Sequence, residues 1–313
     1  MRRSRFLVAI PALNESERIA GALQAIEGSA AQTQLPVSLM VFANNCTDMT
    51  ASVALRVAET LKWCEVAVTE EDLPPCQAHA GGARRRAVTH ALSRFGASDN
   101  CILLSTDADA RLRTDSFLRM EQAFAEGAQV VLAKIECIRD PLDPVSDQAL
   151  AWGRPGVLWR HCVRRLVETV RSGRLASPAV HDDYGGAGIA IRVDAYHSLG
   201  GFSVIPSDED LELVRAADRR LMTVNRQSGA VVDVLARAKG RARGGMAEAL
   251  AKCSDAARRN LPCLVEHHTL TIRRVFSNPA HANAFPALVT EWEPVVSAIT
   301  GIERAISNFR GES

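Results

Sequence analysis

Two carboxylates one residue apart follow an apolar run in the stretch Ile102-Leu103-Leu104-Ser105-Thr106-Asp107-Ala108-Asp109-Ala110. The run is short, with Gly96 and Asn100 just upstream, and reads as a strand buried on both faces. If strand geometry persists that far, alternation sends Asp107 and Asp109 to the same side. Like charges so placed need a cation or protons to remain there. A hard divalent ion, with positions left open for phosphate oxygens, answers that need. A second acidic group, Ser207-Asp208-Glu209-Asp210, opens a helix running through Arg219, the end of a helix that favours acids. Each group also has a plainer explanation, since aspartate is common at turns and helix starts. Their company in the chain decides between the two.

Those residues must be held by an alternation of strands and helices. Phe6-Leu7-Val8-Ala9-Ile10 is a strand stopped by Pro11, and Ile19, Leu23 and Ile26 recur at helical spacing behind a cap at Asn14 or Ser16. Val37–Ala43 is a second strand ending in Asn44-Asn45-Cys46-Thr47-Asp48, where Thr47 and Asp48 form a turn that opens the next helix. Cys64–Val68 is a third strand, followed by a Gly81-Gly82 turn and a helix from about Ala83 to Phe95. Further on come a helix over Phe117–Gly127, a strand over Val130–Ile135, a helix over Val157–Val170 and a glycine-opened strand at Gly185–Arg192. Met222–Val224 and Val231–Val234 read as a closing hairpin, and the chain from Met246 on is helical with breaks at Pro262, Pro279 and Pro286. This rhythm predicts an α/β fold with a mostly parallel sheet flanked by helices. In such sheets a ligand lies beyond the carboxyl ends of the strands, where the polar clusters fall.

The 313 residues suffice for one large α/β domain or two smaller ones. Lys and Arg total 37 against 36 for Asp and Glu, a net charge of +1 that makes no case for nucleic acid as a partner. The eight cysteines contain no C-x-x-C and suggest neither a zinc framework nor a disulfide scaffold, which suits a reducing cytosol. The basic start precedes an apolar run too short for a signal peptide or membrane span, so a cytoplasmic protein is expected.

Four motifs, in order, make the sequence resemble the family 2 glycosyltransferases of GT-A fold: Pro11-Ala12-Leu13-Asn14-Glu15, Asn44-Asn45-Cys46-Thr47-Asp48-Met49-Thr50, Asp107-Ala108-Asp109, and Gly200-Gly201-Phe202 followed by Glu209-Asp210-Leu211-Glu212-Leu213. The resemblance covers about residues 5 to 245. It implies a GT-A (Rossmann-like) domain over 1–245, with a donor-binding half to about residue 110 and an acceptor half over 111–245. Residues 246–313 would be a helical extension packed on it. By resemblance, Pro11, Ala12, Asn14 and Glu15 cradle the base and ribose of a nucleotide-diphospho-sugar, with Glu15 near the sugar hydroxyls. Asn44 would pair with the base; Ala43-Asn44 stands where Asp-Asp is frequent in the family, which leaves uracil and guanine both open. Arg84, in Gly81-Gly82-Ala83-Arg84-Arg85-Arg86, would hold the diphosphate or sugar. Asp109 would bind Mn2+ or Mg2+ most directly, Asp107 would touch ribose or the metal and its water, and His181 would be an added ligand or touch the acceptor. Asp210 would be the base that deprotonates the acceptor hydroxyl, with Glu209 beside it in the catalytic pair. The segment Arg237–Gly245 would clamp the diphosphate through Arg241, its glycines permitting lid motion.

The resulting expectation is a metal-dependent inverting hexosyltransferase using a UDP- or GDP-type donor and a hydroxyl acceptor, whether small molecule, glycan or lipid-linked. One rival is a retaining GT-A transferase with an acidic acceptor bound by Arg160, Arg164 and Arg165. Another is a sugar-phosphate nucleotidyltransferase, which would want a glycine-rich phosphate loop where Pro11–Glu15 stands. A third is a non-catalytic nucleotide-binding protein making weak peripheral membrane contact through the basic amphipathic helix at Val157–Val170.

Overall fold

A computed structural model describes residues 4–96, 98–142, 147–226, 228–237, 246–266, 268–277 and 292–309. In chain order the elements are β1 (Phe6–Ala12), α1 (Ile19–Ala30), β2 (Val37–Asn44), α2 (Thr50–Ala58), β3 (Cys64–Glu71), α3 (Ala80–Phe95), β4 (Ile102–Ser105) and β5 (Ala110–Leu112). Then come α4 (Ser116–Ala125), β6 (Val130–Leu132), β7 (Lys134–Arg139), α5 (Asp147–Ser172), β8 (Ile189–Arg192), α6 (Val193–Ser198), α7 (Glu209–Arg219), β9 (Val224–Asn225) and β10 (Val231–Ala236). The last are α8 (Met246–Arg258), β11 (Leu264–Glu266), α9 (His268–Ser277), β12 (Trp292–Pro294) and α10 (Val295–Ser307).

The chain divides into two compact units. Among the described residues the first comprises 4–138 and 184–235. Its described strands form a seven-stranded sheet in the order β3-β2-β1-β4-β8-β6-β9 and a three-stranded sheet in the order β5-β10-β7. Strands β3, β2, β1 and β4 are parallel, β8 runs antiparallel to both β4 and β6, and β9 is parallel to β6. The sheet is therefore mostly parallel with one reversed strand.

Alternation along β1 explains why it is buried on both faces. Phe6, Val8 and Ile10 join a core with Ile19, Leu23 and Ile26 of α1 and Phe117, Met120 and Phe124 of α4. Leu7 and Ala9 join a second core with Ala83, Ala87, Val88 and Ala91 of α3 and Leu213 and Val214 of α7. Helices thus cover both faces, which is what a parallel sheet of continuous apolar strands requires.

Several local expectations change. Strand β1 does not stop at Pro11: it pairs with β2 through Ala12, opposite Ala43. Proline is tolerated there because pairing with β4 has already ended at Ala9–Ser105. Strand β4 ends at Ser105, so Asp107 and Asp109 sit in the turn before β5 and are not aligned by strand alternation. Neither Asn14 nor Ser16 caps α1; its N-cap is Arg18, without a side-chain cap bond. Gly81 and Gly82 lie inside the first turn of α3. The hairpin expected at 222–234 does not form, because β9 extends the large sheet while β10 pairs with β5 in the small one.

The second unit comprises Arg139–Asp183, Ala236–Gly240 and Met246–Ser313. It therefore takes up α5 together with the C-terminal elements, where an extension over 246–313 alone was expected. The reason is apolar packing: Trp159, Val163, Leu166 and Val167 of α5 share a core with Val265, Val275, Val295, Ala298, Ile302 and Ile306. The unit also holds a two-stranded antiparallel sheet of β11 and β12 within the stretch read as helical. The apolar face of α5 is thus covered within its own unit. Its arginines are also engaged: Arg164 pairs with Asp182 at 3.0 Å, Arg160 with Asp183 at 3.6 Å, and Arg165 Nε donates to the Ala176 carbonyl. Among the described residues no helix is long and apolar enough to cross a membrane.

The central strands set the stability of the first unit. Leu104, fully buried in β4, should cost about 2–5 kcal/mol when truncated to alanine, read as a lowered urea midpoint with unchanged m-value.

Candidate active site

The first two motifs are clasped to each other at the carboxyl ends of β1 and β2. Asn14 adopts a left-handed backbone (φ 51), and its Oδ1 accepts the Thr47 N–H at 2.7 Å. Short polar side chains are the non-glycine residues that tolerate this conformation. The Asn14 N–H donates to Cys46 Sγ, and Cys46 in turn donates to the Ala12 carbonyl. The Glu15 N–H donates to Thr50 Oγ1 at 2.8 Å, and the Ser16 N–H to Asp48 Oδ2 at 3.0 Å. Asp48 also accepts the Thr50 N–H, closing the turn that opens α2. Pro11 is half-buried, while Ala12, Glu15 and Asn44 are buried. The motif side chains thus first fix the loops that a nucleotide would touch.

The third part is the start of α3. His79 caps it by accepting the Gly82 N–H at 3.2 Å. A Cβ on Gly81 would lie 2.4 Å from the Ile205 carbonyl oxygen and 2.5 Å from that of Ser203. Only glycine lets this helix turn approach the loop before α7 so closely. Arg85 donates to the carbonyls of Gly200 and Phe202, and Phe202 lies with its ring 5.8 Å from the Arg84 guanidinium carbon. The Gly200-Gly201-Phe202 motif therefore supports α3.

Arg84 is the meeting point of the site. Its Nε donates to Glu209 Oε1 at 2.9 Å, Nη1 to Ser105 Oγ at 2.7 Å and to the Gly186 carbonyl at 2.9 Å, and Nη2 to Asp107 Oδ1 at 2.9 Å. One side chain thus joins α3, the end of β4, the turn after it, the loop before β8 and the start of α7. Burial opposes its charge, but the carboxylates of Asp107, Glu209 and Asp210 hold its pKa above the usual arginine value. Burial pushes the Glu209 carboxyl up, and the neighbouring Asp210 charge adds to that, against the pull of Arg84.

Asp210 diverges from Glu209. It is half-buried, and its Oδ2 accepts the Gly186 N–H at 2.7 Å while Oδ1 accepts the Leu211 N–H. Asp107 keeps a 35% exposed side chain, and its Oδ2 has no hydrogen bond among the described residues. Asp109 is buried. Among the described residues no group of three or more His, Cys, Asp and Glu side chains is gathered to hold a metal. His181 belongs to the second unit, buried, with its ring 6.3 Å from that of His161. Arg241 and the glycines Gly240, Gly244 and Gly245 lie outside the described residues. Two participants carried little signal in the sequence. Ser105 looks like a strand residue, and Gly186 was visible only as part of a glycine-opened strand.

No protein-family model matches the chain, and no curated protein matches it in sequence. Solved structures similar to it include TarS of S. aureus in complex with UDP, with a TM-score of 0.48 and 15% identity over 90% of this chain and 72% of that one. A mannosyltransferase of Pyrobaculum calidifontis in complex with GDP-Man and Mn2+ gives a TM-score of 0.48 and 17% identity over 98% of this chain and 81% of that one. Glucosyl-3-phosphoglycerate synthase of Mycobacterium tuberculosis in complex with Mg2+ and uridine-diphosphate gives 0.44 and 20% over 83% and 81%.

The Asp48 clasp makes a pH prediction. Burial raises the Asp48 pKa, but hydrogen bonds from Thr50 and Ser16 outweigh this and bring it from 3.8 to about 2. A carboxylate depressed on folding stabilises the protein above its unfolded pKa, and that contribution is lost as pH falls through the folded value. Asp48→Asn cannot accept both sets of N–H donors. The gap in urea stability between wild type and Asp48→Asn should be full above pH 3.8 and shrink toward pH 2.

Proposed function

We propose that this chain transfers a sugar from a nucleotide-diphospho-sugar to a hydroxyl acceptor, with inversion at the anomeric carbon. One observation carries the reading: a buried arginine draws the Asp-x-Asp turn and the Glu-Asp helix start together at the carboxyl edge of a mostly parallel sheet. Sheets of this kind bind ligands at that edge.

The clasped loops at Pro11, Ala12, Asn14, Glu15 and Asn44 would receive the base and ribose. A carboxylate accepts from ribose hydroxyls, and an amide offers a base both a donor and an acceptor. The donor set at the Asp-x-Asp turn fits a hard divalent ion. Asp107 Oδ2 is open, Asp109 adds a second carboxylate, and Mg2+ is commonly held by one or two carboxylates with waters and phosphates completing its shell. Mn2+ or Mg2+ held there by Asp107 and Asp109 would neutralise the leaving nucleoside diphosphate. Asp210 would take the acceptor's proton as its oxygen attacks. Its two backbone hydrogen bonds leave lone pairs for that proton and fix the carboxylate's orientation.

The site can be tested by thermal shift with UDP, GDP, CDP and dTDP, each with Mn2+, Mg2+ or EDTA. Stabilisation by one nucleoside diphosphate that is lost in EDTA supports the donor site and names its base; no shift with any of them sinks it. Once a donor is found, Asp210→Asn should leave its affinity nearly unchanged while turnover falls by about 10²–10⁴. Undiminished turnover removes Asp210 from the mechanism, and a product of retained anomeric configuration by NMR overturns the inverting step alone.

A further inference from the structure

Glu209 and Asp210 are neighbours in sequence but face different work. Successive helical residues point about 100° apart, and here one carboxylate turns inward while the other stays at the edge. The Glu209 side chain is 4% exposed, with Oε1 on Arg84 Nε at 2.9 Å. Four of the five guanidinium N–H groups of Arg84 are engaged by acceptors at four places: the end of β4, the turn after it, the loop before β8 and the start of α7. A side chain so enclosed and so fully engaged is poorly suited to gripping a diphosphate, the task first expected of Arg84. The Gly186 peptide unit shows where its influence goes. Arg84 Nη1 holds the Gly186 carbonyl, and Asp210 Oδ2 holds the Gly186 N–H. A Cβ on Gly186 would fall 2.1 Å from Arg84 Nη2, so this contact requires glycine.

We propose that Glu209 and Arg84 form a positioning pair that touches no substrate, fixing Asp107 directly on one side and Asp210 through Gly186 on the other. Glu209 supplies an acceptor that orients the guanidinium fork. The fork then sets two carboxylates on different elements in one geometry. In its consequence for turnover this rests on the transfer reading above; in its structural content it does not.

The experiment compares Glu209→Gln with Glu209→Ala. Glutamine keeps an acceptor oxygen for Arg84 Nε–H but can neither exchange a proton nor bind a cation as a carboxylate does. With a donor identified, Glu209→Gln should stay within about tenfold of wild-type turnover, while Glu209→Ala should fall by about 10²-fold, the usual cost of a misplaced catalytic group. Equal and severe losses in both would show that Glu209 acts on substrate and overturn the proposal. An arm free of activity uses selective 15N-arginine labelling, with the Arg84 Nε–H signal assigned by its absence in Arg84→Lys. That signal should resist solvent exchange at about pH 8 in wild type and Glu209→Gln, and vanish in Glu209→Ala, whose circular dichroism confirms folding. A signal equally protected in Glu209→Ala overturns the pair. A protected wild-type signal lost in Glu209→Ala, in a protein without transfer activity, supports the pair and overturns the transfer reading alone.

Discussion

The site depends on enclosing one guanidinium. An arginine nearly removed from water is tolerated only when its charge is matched and its donors are met. Arg84 has Asp107 and Glu209 as charged partners and Ser105 Oγ and the Gly186 carbonyl as neutral ones. Such pairs add little net stability, because desolvation offsets the attraction, yet removing one partner costs about 3–5 kcal/mol. Their effect is therefore on geometry. With the fork in place, the turn after β4 and the start of α7 have few alternative positions; without it, both carry carboxylates lacking a reason to approach each other. The close backbone approaches at Gly81 and Gly186 serve this one contact, bringing the helix turn to the 203–205 loop and the 186 peptide to the guanidinium.

A second constraint operates at the carboxyl ends of β1 and β2 by different means. There the loops after β1 and β2 are tied by short hydrogen bonds among Asn14, Thr47, Ser16, Asp48 and Thr50, with Asn14 and Asn45 in left-handed backbone. Asn45 extends the tie outward, exchanging two side-chain hydrogen bonds with the Leu73 backbone. The two halves of the site are thus preorganised by unlike chemistry: a clasp of backbone and side-chain hydrogen bonds, with no ion pair among these described residues, where a base and ribose would sit, and a buried charge network where the reaction would run.

What could be seen in the sequence follows from what is local. The strand-helix rhythm and the helix starting at Glu209 were legible because apolar periodicity and acidic helix starts are near-neighbour signals. Asp107 and Glu209 were legible as chemically apt residues. Arg84 was singled out as a ligand-holding arginine, but its role as their common partner was not legible, since it lies 125 residues from Glu209. The helical phase sets the three arginines apart: Arg84 is buried, Arg85 reaches the Gly200 and Phe202 carbonyls, and Arg86 pairs with Glu71. The end of β4 was misplaced for a related reason, because Ser105-Thr106 carries no turn signal strong enough to stop a strand. The grouping of α5 with the C-terminal elements was not legible, because α5 finds its apolar partners some hundred residues away, at 265–306.

The charge count of the site bears on what could enter it. Asp107, Glu209 and Asp210 all act on the single guanidinium of Arg84, and buried Asp109 follows in the same turn. The cluster is therefore anionic even with its arginine fully protonated. A diphosphate approaching within about 4 Å of an unmatched carboxylate near the surface meets a repulsion of roughly 4 kcal/mol per pair of unit charges. Moving Arg84 out to meet it would leave Glu209 buried without its partner, so the arginine is not available as the counterion. Among the described residues no other cation is bonded to Asp107, Glu209 or Asp210, so compensation must come from elsewhere. A divalent cation on the open oxygen of Asp107 would supply it without disturbing the buried fork, which is why the same geometry that withdraws Arg84 from the ligand strengthens the case for a metal.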